Sequence, residues 1–468
     1  MVRKTTVARS AYLFLALIAG PGDCLAQFWG AINPVGESGQ GFRLYQLQGS
    51  ASYFSNALPP GYYLRSQPNL GYDVGYGGSA TAGYSQAGTR SAFSAVYAVN
   101  YSGRTQYSQF DAWNHSFTLG WRRKLGRKWS ATLAANADLL TSTALLSVPT
   151  SASSLAAAPA TFDEFAAAVL SGNYANSQLA SILTAAPLPA PAAQLQFYGY
   201  RSLATAVVTS ITYAHSSRLS ISANAAGGRS QHISSSADRT SSGAPAYFLP
   251  TNTWVTSSLS MSYSLTPRTQ ISLSGSGTRV VSYLADTYTA QGSGSIGHIM
   301  GRRWFLQASA GSGYIFAVKG IGGSSGTGYT AGGSIGYKTF ASTFVASYAH
   351  TLGNNYGLGG YATEAASGAW HWARPGWSWS ASVSGGWQQS SDLLYPSLDS
   401  WNVSAALSRQ FGVHTSASLQ YGYMNVQLPD AQTYKLNGVS LILAWSPNRR
   451  PAASSPSSSP SNRGLGTP

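Results

Sequence analysis

Charge is what this chain has least of. Only 9% of its 468 residues are Asp, Glu, Lys or Arg, against about a quarter in an ordinary soluble domain. A wet surface of normal size cannot be covered with so few charges. Cysteine is nearly absent as well, since Cys24 is the only one. A leader ending at residue 26 would remove it, leaving no disulfide and no thiolate metal site in the mature chain. Long apolar runs are also missing. Hydrophobic residues make up 44% of the chain, yet after the N-terminus none of them form the run of about 18 that a membrane-crossing helix needs. The 7 histidines are scattered over separate segments, with no HExxH and no paired-cysteine motif. Asn114-His115-Ser116 has the residue types of a hydrolase site, but three adjacent residues on a strand cannot all face one side. Neither catalysis nor a cofactor or metal is expected.

What is present is small and aromatic: 51 Gly and 29 Tyr. Residues 1–26 carry the marks of a cleaved secretory leader. Arg3, Lys4 and Arg9 form its basic start, Ala11 to Ala19 its short apolar core, and Cys24-Leu25-Ala26 its cleavage site before Gln27. At the other end, 446–468 is a Ser/Pro-rich tail of the kind that stays disordered.

Between them the dominant signal has a period of two. In 376–389, GWSWSASVSGGWQQ, one face reads Trp377, Trp379, Ala381, Val383, Gly385, Trp387. The other reads Ser378, Ser380, Ser382, Ser384, Gly386, Gln388. Residues 129–139 set Trp129, Ala131, Leu133, Ala135, Ala137 and Leu139 against Ser130, Thr132, Ala134, Asn136 and Asp138. Similar runs begin at Val255, Trp401 and Val413. Alternation over ten or more residues is the signature of strands, and these are longer than the usual five or six residues.

Short turns with a positive charge or a turn former, such as 87–90, 126–128, 267–268 and 301–303, alternate with longer Ser/Gly/Asn/Pro-rich connections. That punctuation describes an antiparallel meander with tight turns on one side and variable loops on the other. Seventeen strands are clear from about Tyr72 to Trp445, and an eighteenth is expected at Phe42–Phe54, where alternation is poor. The expected count is 16–18, because a single-chain bacterial barrel needs an even number.

Aromatic placement separates the architectures that long alternating strands allow. Trp377 and Trp387 are ten residues apart on one face, roughly 25 Å along the normal for a strand tilted by about 40°. That is the height of the apolar band of a membrane barrel, which is edged by aromatic girdles. A soluble sandwich would need more charge on its wet face, and a solenoid needs a constant repeat that this chain does not have. The expected fold is therefore all-β, a transmembrane antiparallel β-barrel of 16–18 strands spanning 27–445. Trp129, Trp377, Trp387, Trp401 and Trp445 are assigned to its girdle. Ser378, Ser380, Ser382, Ser384, Asn136 and Asp138 are assigned to its lumen.

With leader, meander and girdles in place, the chain resembles the bacterial outer-membrane β-barrel class, and its length and strand count are similar to porins. The last strand, Tyr434–Trp445 (YKLNGVSLILAW), resembles the C-terminal recognition signal of that class through Gly438, Leu441, Leu443 and Trp445. Leu436 stands where a polar residue is usual, and the tail continues past the closing aromatic. The resemblance implies an outer-membrane location in a Gram-negative-type bacterium, delivery through the barrel-assembly machinery, and outer-membrane lipids as neighbours. It also admits a homo-oligomer, which no feature of the sequence specifies.

A barrel of 16–18 strands leaves an aqueous channel, and a wall of Ser, Thr, Gly, Asn and Gln would hydrogen-bond small hydrophilic solutes without retaining them. Passive diffusion is thus the expected role. The alternative is a non-conducting surface barrel for adhesion or binding, or an accessory of polysaccharide export. The connection 142–196 has its own character. Thr161-Phe162-Asp163-Glu164 is a capping-box pattern ahead of a short helical stretch, and 175–183 reads as a second. It either folds inward and narrows the lumen, making Asp163 and Glu164 pore-constriction candidates, or lies over the mouth as a flap. The net charge of +15 gathers at tight turns, at Arg122–Lys124, Arg127, Lys128, Arg302 and Arg303. Contact with anionic headgroups and an anion-attracting vestibule both fit this. Nucleic-acid binding does not, because the charge is spread around a rim and the leader directs the chain out of the cytoplasm.

Overall fold

The structure is a computed structural model. It describes residues 41–55, 71–106, 111–141, 200–235, 251–282, 285–301, 303–320, 325–354, 360–374, 376–392, 398–412, 414–427 and 433–447. These form one 18-stranded antiparallel sheet closed on itself. The strands are β1 (Gly41–Ser55), β2 (Tyr72–Ala87), β3 (Ser91–Arg104), β4 (Ala112–Lys124), β5 (Trp129–Thr141), β6 (Tyr200–Ala214), β7 (Leu219–Ser235), β8 (Asn252–Thr266) and β9 (Thr269–Ser282). The meander continues through β10 (Ala285–Met300), β11 (Trp304–Gly320), β12 (Gly326–Lys338), β13 (Ser342–Asn354), β14 (Gly360–Ala373), β15 (Trp379–Asp392), β16 (Leu398–Phe411), β17 (Thr415–Gln427) and β18 (Thr433–Trp445).

Each strand pairs with its sequence neighbours, and β1 closes on β18 from Leu47↔Trp445 to Phe54↔Gly438. Closure removes the sheet edges, so the ladder satisfies the backbone without help from solvent. The eighteenth expected strand is β1. Its poor alternation has a local cause: a bulge between Leu44 and Gln46 leaves Tyr45 outside the ladder with β2 and switches the phase of the side chains across it.

Following the registers once around the wall returns to β1 displaced by about 22 residues, which is the shear of the barrel. With strands about 4.8 Å apart and a rise of about 3.3 Å per residue, this stagger implies a tilt near 40° and a backbone diameter of roughly 36 Å. The long connections and the tight turns lie at opposite ends, and both β1 and β18 open onto the tight-turn end. There Gly301, Gly376 and Gly412 have φ of 67°, 82° and 70°, a left-handed backbone that side chains with a Cβ rarely adopt.

Trp377 and Ser378 fall outside the alternating strand to which the sequence pattern assigned them. β15 begins at Trp379, and the amide of Trp377 donates to the carbonyl of Arg374 in the preceding turn at 3.0 Å. Asp163, Glu164 and the expected helical stretches of the long connection lie outside the described residues.

Candidate functional site: the two faces of the barrel wall

Alternation gives the wall two chemically distinct faces. The outer face carries large apolar side chains in mid-strand: Leu133, Val207, Leu259, Leu273, Val383 and Leu419 are 43%, 50%, 58%, 55%, 42% and 49% exposed. Rings gather near the strand ends. At the tight-turn end, Trp129 lies 4.6 Å from Tyr213 and Trp304 lies 4.5 Å from Tyr337, centroid to centroid. At the other end, Tyr101 meets Trp113 and Trp401 meets Tyr423, each at 4.8 Å. Trp387 pairs in register with Trp401 in this upper belt. Trp445, 42% exposed, ends β18 in the lower belt, and Trp377, 55% exposed, lies in the turn between β14 and β15 at the same end.

Arg409 lies 5.0 Å over both the Trp379 and Phe411 rings, and Arg374 lies 5.0 Å over Trp377. Cations stacked on belt aromatics place their charge at the boundary between hydrocarbon and water. An apolar zone of this extent on a closed barrel would aggregate in water and is satisfied by lipid. The chain is a transmembrane β-barrel of the outer-membrane kind.

The inner face is built from small polar groups, several of which bond to one another across the ladder. Hydroxyls meet directly across the ladder: Ser272 with Ser295 at 2.5 Å, Ser274 with Ser293 at 2.8 Å, Ser347 with Ser367 at 2.8 Å and Ser384 with Ser404 at 2.6 Å. Such pairs stabilise a sheet and leave lone pairs to water. Ser380 and Ser382 belong to the same inward row as Ser384, in register with Ala373 and His371 of β14.

Asn136 and Asp138 also point inward, and they act as a unit. Asn136 Nδ2 donates to Asp138 Oδ2 at 2.6 Å, and Ser116 Oγ donates to Asp138 Oδ1. Asp138 is only 2% exposed, so its carboxylate is absorbed into the wall. The triplet 114–116 divides across the sheet as strand geometry requires. Ser116 bonds inward to Asp138, while His115 Nδ1 lies 2.7 Å from the Tyr97 hydroxyl on the outer face.

Two inward features escape the sequence pattern. The first is a polar cluster near the long-connection mouth. Asp73, fully buried, lies 3.6 Å from Arg104 Nη1, and the Arg104 guanidinium lies 4.9 Å over the buried Phe54 ring. Asp73 Oδ1 also accepts from the amides of Val74 and Gln106 at 2.8 and 3.0 Å and from Thr105 Oγ1 at 3.3 Å. This carboxylate therefore ties the start of the β3–β4 connection to the wall. Asp111 completes the arrangement, accepting from the Arg104 amide at 2.8 Å and from the Tyr101 hydroxyl at 3.1 Å. The three central residues come from three strands, so no spacing in the sequence announces them.

The second feature is a set of buried apolar residues on the lumen side, including Val280, Phe305 and Ile315. Phe305 fits because Gly336 faces it: a Cβ there would lie 1.8 Å from the ring. Among the described residues, no group of three or more His, Cys, Asp or Glu could hold a metal ion, and no helix is long and apolar enough to cross a membrane.

Among the described residues the acids lie toward one end of the barrel axis, while cations stand at both ends. Arg90, Arg122, Lys124, Arg218, Arg268 and Lys338 are at or beside the tight turns. Asp73, Asp111, Asp138, Asp286, Glu364 and Asp399 all lie toward the opposite end.

No known family pattern matches the chain, and no curated protein matches it. Among solved structures it is similar to OpdQ of Pseudomonas aeruginosa, at 10% identity over 87% of this chain and 97% of the other, with a TM-score of 0.44. It is also similar to a BenF-like porin from Pseudomonas fluorescens, at 10% identity over 87% and 99% with a TM-score of 0.45. OccAB4 of Acinetobacter baumannii gives 9%, 87% and 98%, with a TM-score of 0.43. The barrel assignment stands on the strand registers and the two faces of the wall.

Proposed function

We propose that this barrel is an outer-membrane channel through which small hydrophilic solutes diffuse passively. The observation that carries the proposal is the inner wall, where cross-strand hydroxyl pairs line a cylinder of roughly 36 Å backbone diameter. A small barrel fills itself with side chains, whereas one of this size leaves room for water. Paired hydroxyls offer weak, exchangeable hydrogen bonds, which suits passage better than retention. The connection between β5 and β6 supplies the constriction in this reading, with Asp163 and Glu164 as its pore-lining carboxylates. The outward cations of the tight-turn end, Arg409 among them, rest on phospholipid headgroups of the inner leaflet.

The competing reading is a filled barrel that acts through its loops, as an adhesin or as an accessory of polysaccharide export. The Asp73–Arg104 cluster favours some role for the mouth, since it anchors the first residues of a connection there. Single-channel recording in a planar bilayer, with and without residues 145–193, decides between the two. A channel gives stable steps that grow when the segment is removed. Silence from both proteins, each shown to be folded by its heat-modifiable migration, ends the channel reading.

A further inference from the structure

The cations of the tight-turn end divide by the face they occupy. Arg123 and Arg409 stand in outward rows: Arg123 is in register with Ala131, in the row of Leu133, and Arg409 lies over the rings of the lower belt. Three others stand in inward rows. Arg122 is in register with Ala92 of β3 and Thr132 of β5. Thr132 shares the face of Asn136 and Asp138. Lys124 follows two residues later, in register with Ser130 on the same face. Arg43 is in register with Gly83 of β2, which stands in the inward row of Asp73.

β1 and β4 are three strands apart in the ring, about 14 Å along the wall, and all three cations lie at the tight-turn ends of their strands. Arg122 and Lys124 are exposed, and Arg43 is half-buried. No carboxylate among the described residues stands at their level, since every described Asp and Glu lies toward the opposite end. On β5 the nearest is Asp138, six residues beyond Thr132 and so about 20 Å away. Its oxygens are already taken by Ser116 and Asn136. At the far mouth the inward Arg104 is matched by Asp73. The inner wall thus carries a positive patch at one end, on the β1–β4 side, and paired charge at the other.

We infer that the tight-turn end of the lumen is an anion vestibule, where this patch draws small hydrophilic anions to the wall and disfavours cations of the same size. Coulomb's law sets the scale. In water a unit charge about 7 Å from a wall cation gains roughly RT. Three cations act together only while the Debye length reaches across the patch, about 30 Å at 0.01 M salt and about 3 Å at 1 M. The preference is therefore strong in dilute salt and fades as salt is added. Nothing around the three side chains shapes a pocket for one particular anion, so the patch selects by sign of charge. That anions are also the solutes favoured in passage rests on the proposed channel; the patch itself does not.

A protein beginning at Gln27 has no cysteine, so a single one can report the local charge whether or not the barrel conducts. Thr132→Cys places a thiol beside Arg122. Ser274→Cys, on the inner wall of β9 five strands from β4, is the reference. Each is modified by a sulfonate-bearing and by a trimethylammonium-bearing methanethiosulfonate, and the ratio of the two rates cancels the reactivity of the thiol itself. In about 10 mM salt the ratio should favour the anionic reagent about fivefold more at Thr132→Cys than at Ser274→Cys. The contrast should vanish at about 1 M salt, an arm that needs no further substitution, and should shrink when Arg122→Gln and Lys124→Gln are added. Equal ratios at the two positions in dilute salt, or a contrast unmoved by removing the two cations, overturn the vestibule. In planar bilayers under a KCl gradient, the reversal potential should show a chloride preference that the same two substitutions weaken. A potassium preference overturns the solute class. Silent channels with the labelling contrast intact would instead count against the proposed function and leave the vestibule standing.

Discussion

Replacing Val383 by arginine tests which side of β15 meets lipid. Val383 lies midway between Trp379 and Trp387 on the outer face and is 42% exposed. Four residues separate it from each ring, about 10 Å of depth at the inferred tilt. An arginine stem covers part of that distance by snorkelling, and the guanidinium still has to be solvated from within the hydrocarbon. The expected cost at this depth is about 2–4 kcal/mol, a fall of roughly 30- to 900-fold in the folding equilibrium. Ser382→Arg, one residue earlier, points into the lumen opposite His371 and Ala406. Water solvates it there, so the cost should stay within about 0.5 kcal/mol. Urea unfolding from phospholipid vesicles, followed by tryptophan fluorescence, measures both. At an m-value of about 2 kcal/mol/M the Val383→Arg midpoint falls by roughly 1–2 M with its slope unchanged. Equal shifts, or a larger one for Ser382→Arg, would refute the assignment of faces and with it the membrane orientation of the wall.

Three further outcomes follow from the inner face. Arg104→Ala leaves the fully buried Asp73 without its cation and should cost about 3–5 kcal/mol. Adding Asp73→Asn should return part of that loss in the same urea assay, whereas additive losses would show that the two residues do not interact. Gly336→Ala drives a methyl into the Phe305 ring and should cost about 1–3 kcal/mol. In a Phe305→Leu background the cost should shrink, and a coupling energy below about 0.5 kcal/mol would mean that the ring moves freely aside. Ser384→Ala with Ser404→Ala removes one hydroxyl pair from the wall and should change stability by no more than about 1 kcal/mol, since both partners go together.

Most of the architecture was legible because a barrel imposes period two on every strand. The run at 129–139 forms one strand throughout, since each side chain of a barrel wall has only lipid or lumen to face. Legibility fails where the backbone departs from that period. The bulge at Tyr45 blurs β1, and the turn before β15 takes Trp377 and Ser378 out of a strand whose alternating pattern includes them. It fails again where a site depends on distant strands. Asp138 is recognisable as inward-facing, but its burial follows from Ser116 across the ladder. Phe54, Asp73 and Arg104 meet only because β1, β2 and β3 are staggered in a particular way.

The scarcity of charge and its placement have one explanation. A residue on the outer face in mid-strand cannot carry charge without paying the cost argued for Val383→Arg, and a residue on the inner face can find a hydroxyl partner across the ladder. Among the described residues the ionised side chains gather toward the two ends, and the ends differ. Tight turns are short, so their cations sit close to the lower belt, where Arg409 and Arg374 lie over tryptophan and phenylalanine rings. The opposite end holds its acids within structure: Asp286 pairs with Arg279 at 2.6 Å, Asp73 with Arg104, and Glu364 with His350. One end therefore presents positive charge to its surroundings, while the other uses charge to fix strands and connections to each other. The proposed function places the positive end against the inner leaflet, with the tight turns toward the periplasm.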